Sequence, residues 1–163
     1  MIFMTVGSQK FPFDRLVKAV DGLTEMLAGE IEVFGQIGST AYEPAYMSYR
    51  HFIDRDEFER RMTAADVVIT HAGTGAIVGA LKRGKKVIAV PRLVKYGEHV
   101  DDHQVEIVKE FSRLNLIEPC YEITGLRTSY EAVISHKYDP YKSNSEKFID
   151  DLRREIKTIG DLK

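Results

Sequence analysis

The stretch HAGTGAIVGALKRGKKVIAVP, residues 71–91, decides the fold because it follows directly on the apolar run at 67–69. An apolar strand, a glycine turn, a short helix and a second apolar strand form one unit of an open α/β sheet. Gly73 and Gly75 let a ligand approach the backbone, and Thr74 is predicted to cap the helix. The first N–H groups and the positive end of the helix dipole then face an anion. A nucleotide or a sugar phosphate is the first ligand to consider.

Length and composition limit the number of domains and the classes of partner. The chain has 163 residues, of which 44% are hydrophobic and 29% charged, so we expect one domain over residues 1–163. The formal net charge is -2, and Lys and Arg are scattered among Asp and Glu. Nucleic acid is therefore not an expected partner.

The N-terminus and the single cysteine point to a cytoplasmic chain. The first ten residues contain no basic leader before an apolar stretch, and no segment approaches the roughly 18 apolar residues of a membrane helix. Cys120 cannot form an internal disulfide, and we interpret it as a small apolar residue at the end of a strand.

Short apolar runs alternate with helical patterns along the chain. Strands are predicted at 2–6, 31–38, 66–70 and 86–90, with a weaker candidate at 51–54. Strands that are apolar almost throughout and alternate with helices indicate an α/β fold, a Rossmann-like parallel sheet with helices on both faces. Ligands bind beyond the carboxyl ends of such strands, where Gly7, His71 and Pro91 stand.

Helices are predicted between these strands and after the last of them. Apolar spacing and terminal glycines place them at 13–27, at 56–65, from the glycine turn to Gly84, and at about 100–114. Residues 39–50 and 91–99 are predicted as loops. The capping-box spacing of Ser143 and Glu146, followed by an apolar stripe, predicts a last amphipathic helix at about 144–159. It would pack either on its own sheet or on a partner.

The turns at the first and fourth strands each have two interpretations. Gly7 frees the backbone while Ser8 and Gln9 offer hydrogen-bond donors, but an ordinary strand-to-helix turn has the same composition. The glycine turn at 71–75 would likewise be purely structural if it served only the packing of its helix on the sheet.

A third motif, YGEHVDDHQ at 96–104, is predicted to open a helix with four polar residues, Asp101, Asp102, His103 and Gln104. Mixed donors and acceptors suit the hydroxyls of a sugar. A metal site competes, because His99 and His103 are four residues apart, but a helix that begins near Val100 would leave His99 outside it. A purely structural first turn is the third interpretation.

Taken in order, these motifs resemble a known family. GSQ (7–9), FID (52–54), ADVVITHAGTG (65–75), GKKVIAVP (84–91) and DDHQ (101–104) are similar to the C-terminal, donor-binding half of family 28 glycosyltransferases, over residues 1 to about 119. HAGTGAI followed by DDHQ is the specific part. The resemblance extends to small catalytic subunits of two-part UDP-GlcNAc transferases of dolichol-linked glycan assembly, and to similar subunits of bacterial capsule and exopolysaccharide synthesis. It implies a UDP-sugar-binding domain equivalent to the C-terminal half of a GT-B enzyme.

By position, the resemblance implies roles for twelve residues. The residues near the diphosphate or the donor sugar would be Gly7, Ser8 and Gln9. The backbone that pairs with the uracil edge would be that of Phe52 and Ile53. Phosphate would be held by Gly73, Thr74 and Gly75, with His71 able to reach the phosphates or the sugar. The sugar hydroxyls would be bound by His103 and Gln104, in a motif that Asp101 opens.

The resemblance also implies a reaction and a partner. The reaction is inverting transfer of a sugar, GlcNAc or galactose, from a UDP-sugar to a polyprenyl-diphosphate-linked glycan, without an essential metal or other cofactor. Since the chain matches only the donor half, a membrane-anchored acceptor-binding subunit is expected to recruit it to the membrane. His71, His99 and Glu98 are candidate bases, beside a group from the partner.

Two other functions compete with this one. Gly79 stands where many family members carry a glutamate for the ribose hydroxyls, and this departure favours a non-catalytic nucleotide-sugar-binding or enhancer subunit. A dinucleotide-binding enzyme domain is disfavoured, because the glycine turn lacks GxGxxG spacing and no acidic residue follows strand two suitably.

Overall fold

A six-stranded sheet forms the centre of the computed structural model, which describes residues 1–143. Every neighbouring pair of strands is parallel, and the spatial order is β3-β2-β1-β4-β5-β6. The strands are β1 (Ile2–Thr5), β2 (Val33–Gln36), β3 (Ser48–Arg50), β4 (Val67–His71), β5 (Lys86–Val90) and β6 (Glu118–Pro119). The helices are α1 (Asp14–Met26), α2 (Arg55–Ala64), α3 (Thr74–Leu81), α4 (His103–Arg113) and α5 (Leu126–Ser135). The strand order reverses between β1 and β4, so a crevice opens at their carboxyl ends.

Each face of the sheet is covered by its own apolar cluster. Met4 and Ile69 belong to a cluster completed by α1 and α5, while Phe3 and Val68 belong to one completed by α2, α3 and α4. Successive strand side chains point to opposite faces, which divides β1 and β4 between the two clusters. The predicted α/β sheet with helices on both faces is confirmed.

The third strand is not where the sequence predicted it. β3 is Ser48–Arg50, inside the predicted loop, whereas 51–54 is irregular. β3 is an edge strand whose Ser48 and Arg50 are exposed, so it needs no apolar pattern and the sequence shows none. The residues at 51–54 instead lead into α2, where Asp54 caps the helix by accepting from the N–H of Glu57 at 2.7 Å.

Several helix boundaries also differ from the prediction. α4 begins at His103 and not near 100, because Gly97 adopts φ +69° and the chain turns before Asp102, the N-cap. The helix α5 and the two-residue strand β6 were missed. α5 carries Leu126, Tyr130 and Val133 on its buried face, a helical spacing that was present in the sequence.

Asp21 holds the long loop between β2 and β3 against α1. Its Oδ2 accepts from the Tyr42 hydroxyl at 2.8 Å and the Ala45 N–H at 2.9 Å, and its Oδ1 accepts from the N–H groups of Tyr46 at 2.8 Å and Met47 at 3.1 Å. Burial raises the pKa of this carboxyl, but the hydrogen bonds outweigh burial and the net pKa is lowered.

The remaining expectations for the fold have different outcomes. Cys120 is 2% exposed just beyond β6, as predicted. Within residues 1–143, no helix is long and apolar enough to cross a membrane. The predicted helix at about 144–159 lies outside the described residues.

Replacing the Asp21 carboxylate with an amide tests its role in ordering the loop. In Asp21→Asn an NH₂ group, which cannot accept, replaces one of the two carboxylate oxygens and faces N–H or O–H donors. We therefore expect the free energy of unfolding to fall by about 2–4 kcal/mol. Urea denaturation of the full chain measures the change. Glu110→Gln, which breaks an exposed ion pair on α4, is the control and should cost less than about 1 kcal/mol. Equal losses in the two variants would contradict the buried role of Asp21.

Candidate functional site

A cleft of about 540 Å³ opens at the carboxyl ends of β1, β2 and β4, between α2 and α3. Thr5 and Gln36 form its floor, and the loop after β1 forms one end. The α2 wall carries Ile53, Asp54, Arg55, Phe58, Glu59 and Met62, and the α3 wall carries Gly73, Gly75, Ala76, Gly79 and Arg83. The cleft therefore lies at the reversal of strand order, where open α/β sheets bind ligands.

The N-terminus of α3 presents unsatisfied donors to this cleft. Gly73 is the N-cap, and no side chain caps the helix, so the predicted capping role of Thr74 is wrong. Thr74 is instead the first helical residue and is exposed. Within residues 1–143, the N–H groups of Thr74 and Gly75 have no protein acceptor. Two free donors at the positive end of a helix dipole suit an anion such as a phosphate.

The imidazole of His71 fills the space beneath two glycines. A Cβ atom on Gly73 would lie 2.4 Å from His71 Nε2, and one on Gly7 would lie 2.7 Å from His71 Cε1. Gly7 also has φ +76°, which favours glycine. Both glycines thus allow the backbone to close over the ring, a function beyond the ligand approach that the sequence suggested.

His71 is uncharged at neutral pH. Burial, followed by the positive charge of Arg92, lowers the pKa of His71 to about 4. Its Nδ1 lies 3.3 Å from the Thr70 hydroxyl and 3.5 Å from the carbonyl oxygen of Thr5. The Thr70 hydroxyl donates its one proton to the Thr5 carbonyl oxygen at 3.1 Å, so Nδ1 faces two acceptor oxygens and is the nitrogen that carries the ring proton. Nε2 of the neutral ring is then an acceptor.

Arg92, directly after Pro91, fixes the loops that surround the site. It is fully buried, and its guanidinium donates to four backbone carbonyls, those of Val6, Phe11, Pro12 and Glu98, at 2.8–3.2 Å. Burial lowers the pKa of Arg92 to about 10, which leaves it charged at neutral pH. Arg92 was not among the predicted site residues, since a lone arginine after a strand has no distinguishing pattern.

Glu98 has a structural role and is a poor choice for a catalytic base. It is 4% exposed, and its two carboxylate oxygens accept from Arg15 at 2.9 and 2.8 Å. One of these oxygens also accepts from the Leu93 N–H at 3.0 Å. With both oxygens engaged by cationic and backbone donors, the carboxylate has little capacity to take a proton from a substrate.

The DDHQ motif lies beside the cleft and not in its lining. Gln104 is 2% exposed, and its Oε1 accepts from the Arg92 N–H at 3.0 Å. Asp101 and His103 are exposed and hydrogen-bond to each other. The His103 side chain, followed by its backbone N–H, lowers the pKa of Asp101. His99 links this motif to the loop after β1, because its ring packs 5.6 Å from that of Phe11.

The loop also brings His99 close to His103, although His99 lies outside α4 as predicted. Their ring centroids are 4.8 Å apart, and single ligand atoms of His99, Asp101 and His103 lie within 4.8 Å of one another. The three side chains have the chemistry to hold a metal ion. The position of His99 outside α4 is therefore no argument against a metal site. That the reaction needs no metal stays a prediction.

The structure brings most of the predicted site residues together. Seven of the twelve line the cleft, namely Gly7, Ser8, Gln9, Ile53, His71, Gly73 and Gly75. Thr74 and Phe52 are exposed neighbours of lining residues. Asp101, His103 and Gln104 form the separate group described above. Glu59 and Arg83, which pair across the cleft, were not among the predicted site residues. The spacing of residues along α2 and α3 does not predict that contact.

Comparison with known proteins agrees with this geometry. Residues 1–159 match the family model described as the glycosyltransferase family 28 C-terminal domain. The chain belongs to this family. A UDP-N-acetylglucosamine transferase subunit ALG13 from Yarrowia lipolytica is 36% identical over 124 residues, which cover 69% of this chain and 61% of the relative. The chain thus matches about three fifths of the length of that curated relative.

Solved structures place the family 28 domain in the same fold. An NMR solution structure of ALG13 has a TM-score of 0.63 at 20% identity, covering 93% of this chain and 94% of that one. The glycosyltransferase of kitacinnamycin also has a TM-score of 0.63, at 17% identity, covering 96% of this chain but 39% of that one. The six-stranded sheet and its helices therefore correspond to the C-terminal domain of a GT-B glycosyltransferase.

A substitution at Gly73 tests the packing of this family 28 glycine turn on His71. Gly73 has φ -76°, so an alanine is compatible with the backbone and meets only the ring. We expect Gly73→Ala to reduce the free energy of unfolding by about 1–3 kcal/mol, measured by urea denaturation. In a His71→Ala background the same change should be nearly neutral.

Gly75→Ala is the matched control, because a Cβ there meets nothing within 4 Å and helices favour alanine. It should leave stability unchanged or raise it by up to about 1 kcal/mol. An equal cost of Gly73→Ala with and without the imidazole would refute the packing argument.

The low pKa of His71 predicts a pH dependence of stability. Because the unfolded chain takes up a proton near pH 6.5 and the folded chain only near pH 4, folding loses stability as the pH falls through this interval. We expect the loss from this group to reach about 2–3 kcal/mol at pH 4. Unfolding at several pH values, compared with His71→Asn, isolates the contribution. An NMR titration midpoint of His71 near 6.5 would contradict it.

Proposed function

We propose that this chain is the donor-binding subunit of a UDP-GlcNAc transferase. The observation that carries the proposal is the N-terminus of α3, which has unpaired N–H groups at Thr74 and Gly75 and meets, through Gly73 and Gly75, a cleft at the reversal of strand order. Membership of family 28 and the similarity to ALG13 subunits support a UDP-sugar over other phosphate ligands. UDP-galactose is the second donor to be tested.

The cleft offers each part of a UDP-sugar a suitable partner. The diphosphate would accept from the two free N–H groups of α3, beside a neutral His71 ring that adds no charge to the cleft. Uracil would pair with the backbone at Ile53, in the loop before α2. The donor sugar would extend toward Ser8 and Gln9 and toward the exposed Asp101 and His103.

The reaction that fits this arrangement is inverting transfer to an acceptor hydroxyl. As the glycosidic bond to UDP breaks, negative charge grows on the diphosphate, and the fixed donors of α3 stabilise that charge. Of the three candidate bases, Glu98 is engaged by Arg15, and His71, with a pKa of about 4, is a weak base at neutral pH. The third, His99, is not among the residues that line the cleft. We infer that a partner supplies the base, and that no metal is needed.

The expected partner is a membrane-anchored subunit that binds a polyprenyl-diphosphate-linked glycan. Such a partner would hold the chain at the cytoplasmic face of a membrane. The alternative, a non-catalytic nucleotide-sugar-binding or enhancer subunit, draws support from the same lack of a suitable base. Sugar transfer by this chain reconstituted with its partner separates the two functions. If Gly75→Asp abolishes turnover while the complex stays intact, this chain holds the sugar donor during the reaction.

A charge placed at the start of α3 tests diphosphate binding. Gly75→Asp occupies open space and adds a negative charge where the helix dipole favours one, so the free chain should fold at least as well as the parent. It should weaken UDP-GlcNAc binding more than tenfold by repulsion, roughly the effect of 1.4 kcal/mol or more. Calorimetric titration gives the dissociation constants.

Gly75→Asn is the isosteric neutral control, and the affinity it loses is the steric part of the effect. Gly75→Asp should bind more weakly than Gly75→Asn by about tenfold or more. The proposal fails if the parent chain binds no UDP-sugar, alone or with its partner. It also fails if the Asp and Asn variants bind equally well.

A further inference from the structure

An ion pair joins the two walls of the cleft. Arg83, just beyond α3, contacts the carboxylate of Glu59 on α2, and it also donates from Nη1 to the carbonyl oxygen of Gly79 at 2.7 Å. Both side chains line the cleft, and they are partly exposed, at 34% for Arg83 and 45% for Glu59. The pair is therefore accessible to a molecule that occupies the cleft.

The position of this pair is set by the spacing of α3. Gly75 marks the anion-binding end, and Gly79 lies one turn, about 6 Å, further along the same wall. A Cβ atom on Gly79 would meet only Arg83 Nη1, at 3.9 Å. The α3 wall thus offers no side-chain acceptor at Gly79, while the opposite wall brings the Glu59 carboxylate toward that position through Arg83.

We propose that Glu59, oriented by Arg83, recognises the vicinal hydroxyls of the ribose in the bound nucleotide. This inference rests on the proposed function, since it assumes a nucleoside diphosphate whose phosphates lie at Gly75. A carboxylate has two oxygens and about four acceptor sites, so it can receive both ribose O–H groups while it keeps its contact with Arg83. Asp54, the other carboxylate of the cleft, caps α2 with one oxygen and directly follows Ile53, in the segment assigned to uracil and not at the level of Gly79.

Arg83 acts as a positioning residue in this arrangement. Its bond to the Gly79 carbonyl fixes the guanidinium on the end of α3, and the guanidinium in turn fixes the reach of Glu59 across the cleft. The contact is charge-assisted, so it holds the carboxylate in place more strongly than a neutral hydrogen bond would. Glu59 touches the ligand, whereas Arg83 acts through Glu59.

The test compares UDP with 2′-deoxy-UDP, using calorimetric titration of the full chain. We expect the parent chain to prefer UDP by about tenfold, because a site that hydrogen-bonds a hydroxyl discriminates against the ligand that lacks it. In Glu59→Gln the preference should fall to about threefold or less, chiefly through weaker binding of UDP. Arg83→Gln should reduce the preference to an intermediate value.

Glu57→Gln is the matched control, since Glu57 is on the same helix and pairs with Arg61. It should keep the parent preference. If Glu59→Gln weakens both ligands equally, or leaves their ratio unchanged, the ribose assignment is wrong while the proposed function stands. If the parent chain binds neither UDP nor UDP-GlcNAc, alone or with its partner, the proposed function itself has failed.

Discussion

The arrangement of the site depends on the buried guanidinium of Arg92. It lies 4.7 Å from the ring centroid of Phe13 and gathers carbonyl oxygens from the loop after β1 and from Glu98. A carbonyl oxygen removed from water must be paired, and one planar cation pairs four of them. The Nε atom of Arg92 has no partner among residues 1–143. One buried donor is thus left unpaired, while the other guanidinium nitrogens pair four carbonyl oxygens. The cation thereby holds the loop that carries Gly7, Ser8 and Gln9 at a fixed distance from β5.

The same cation influences the chemistry of the cleft. Its charge adds to burial in lowering the pKa of His71. The imidazole is therefore buried in its neutral form, and the backbones of Gly7 and Gly73 pack against it. A neutral histidine at the cleft offers an anion no fixed positive charge. If the cleft binds a nucleoside diphosphate as proposed, the binding free energy comes mainly from the N–H groups of α3 and from contacts with the nucleoside.

The sequence predicted those parts of the molecule in which local pattern and tertiary structure agree. The apolar runs of β1, β4 and β5 and the glycine turn at 71–75 were recognisable because a buried parallel strand must be apolar and a close approach requires glycine. The edge strand β3 has exposed side chains, so nothing in its sequence demanded a strand. Asp21 and Glu59 act through partners 21 or more residues away, and three of the four carbonyls that Arg92 pairs are at least 80 residues away. Such contacts exist only after the chain has folded.

The DDHQ motif shows how one short segment can serve two purposes. Gln104 accepts from the backbone of Arg92, so this side chain supports the loops around the cleft from behind. Asp101 and His103, at the same helix start, are exposed and face away from the protein core. α4 begins only at His103, after the turn at Gly97, and this makes the division possible. Gln104 points inward, and the three polar residues before it stay at the surface. Position at the first turn alone therefore did not specify contact with a sugar: burial separates the residue that builds the site from those that are free to meet a substrate or a partner.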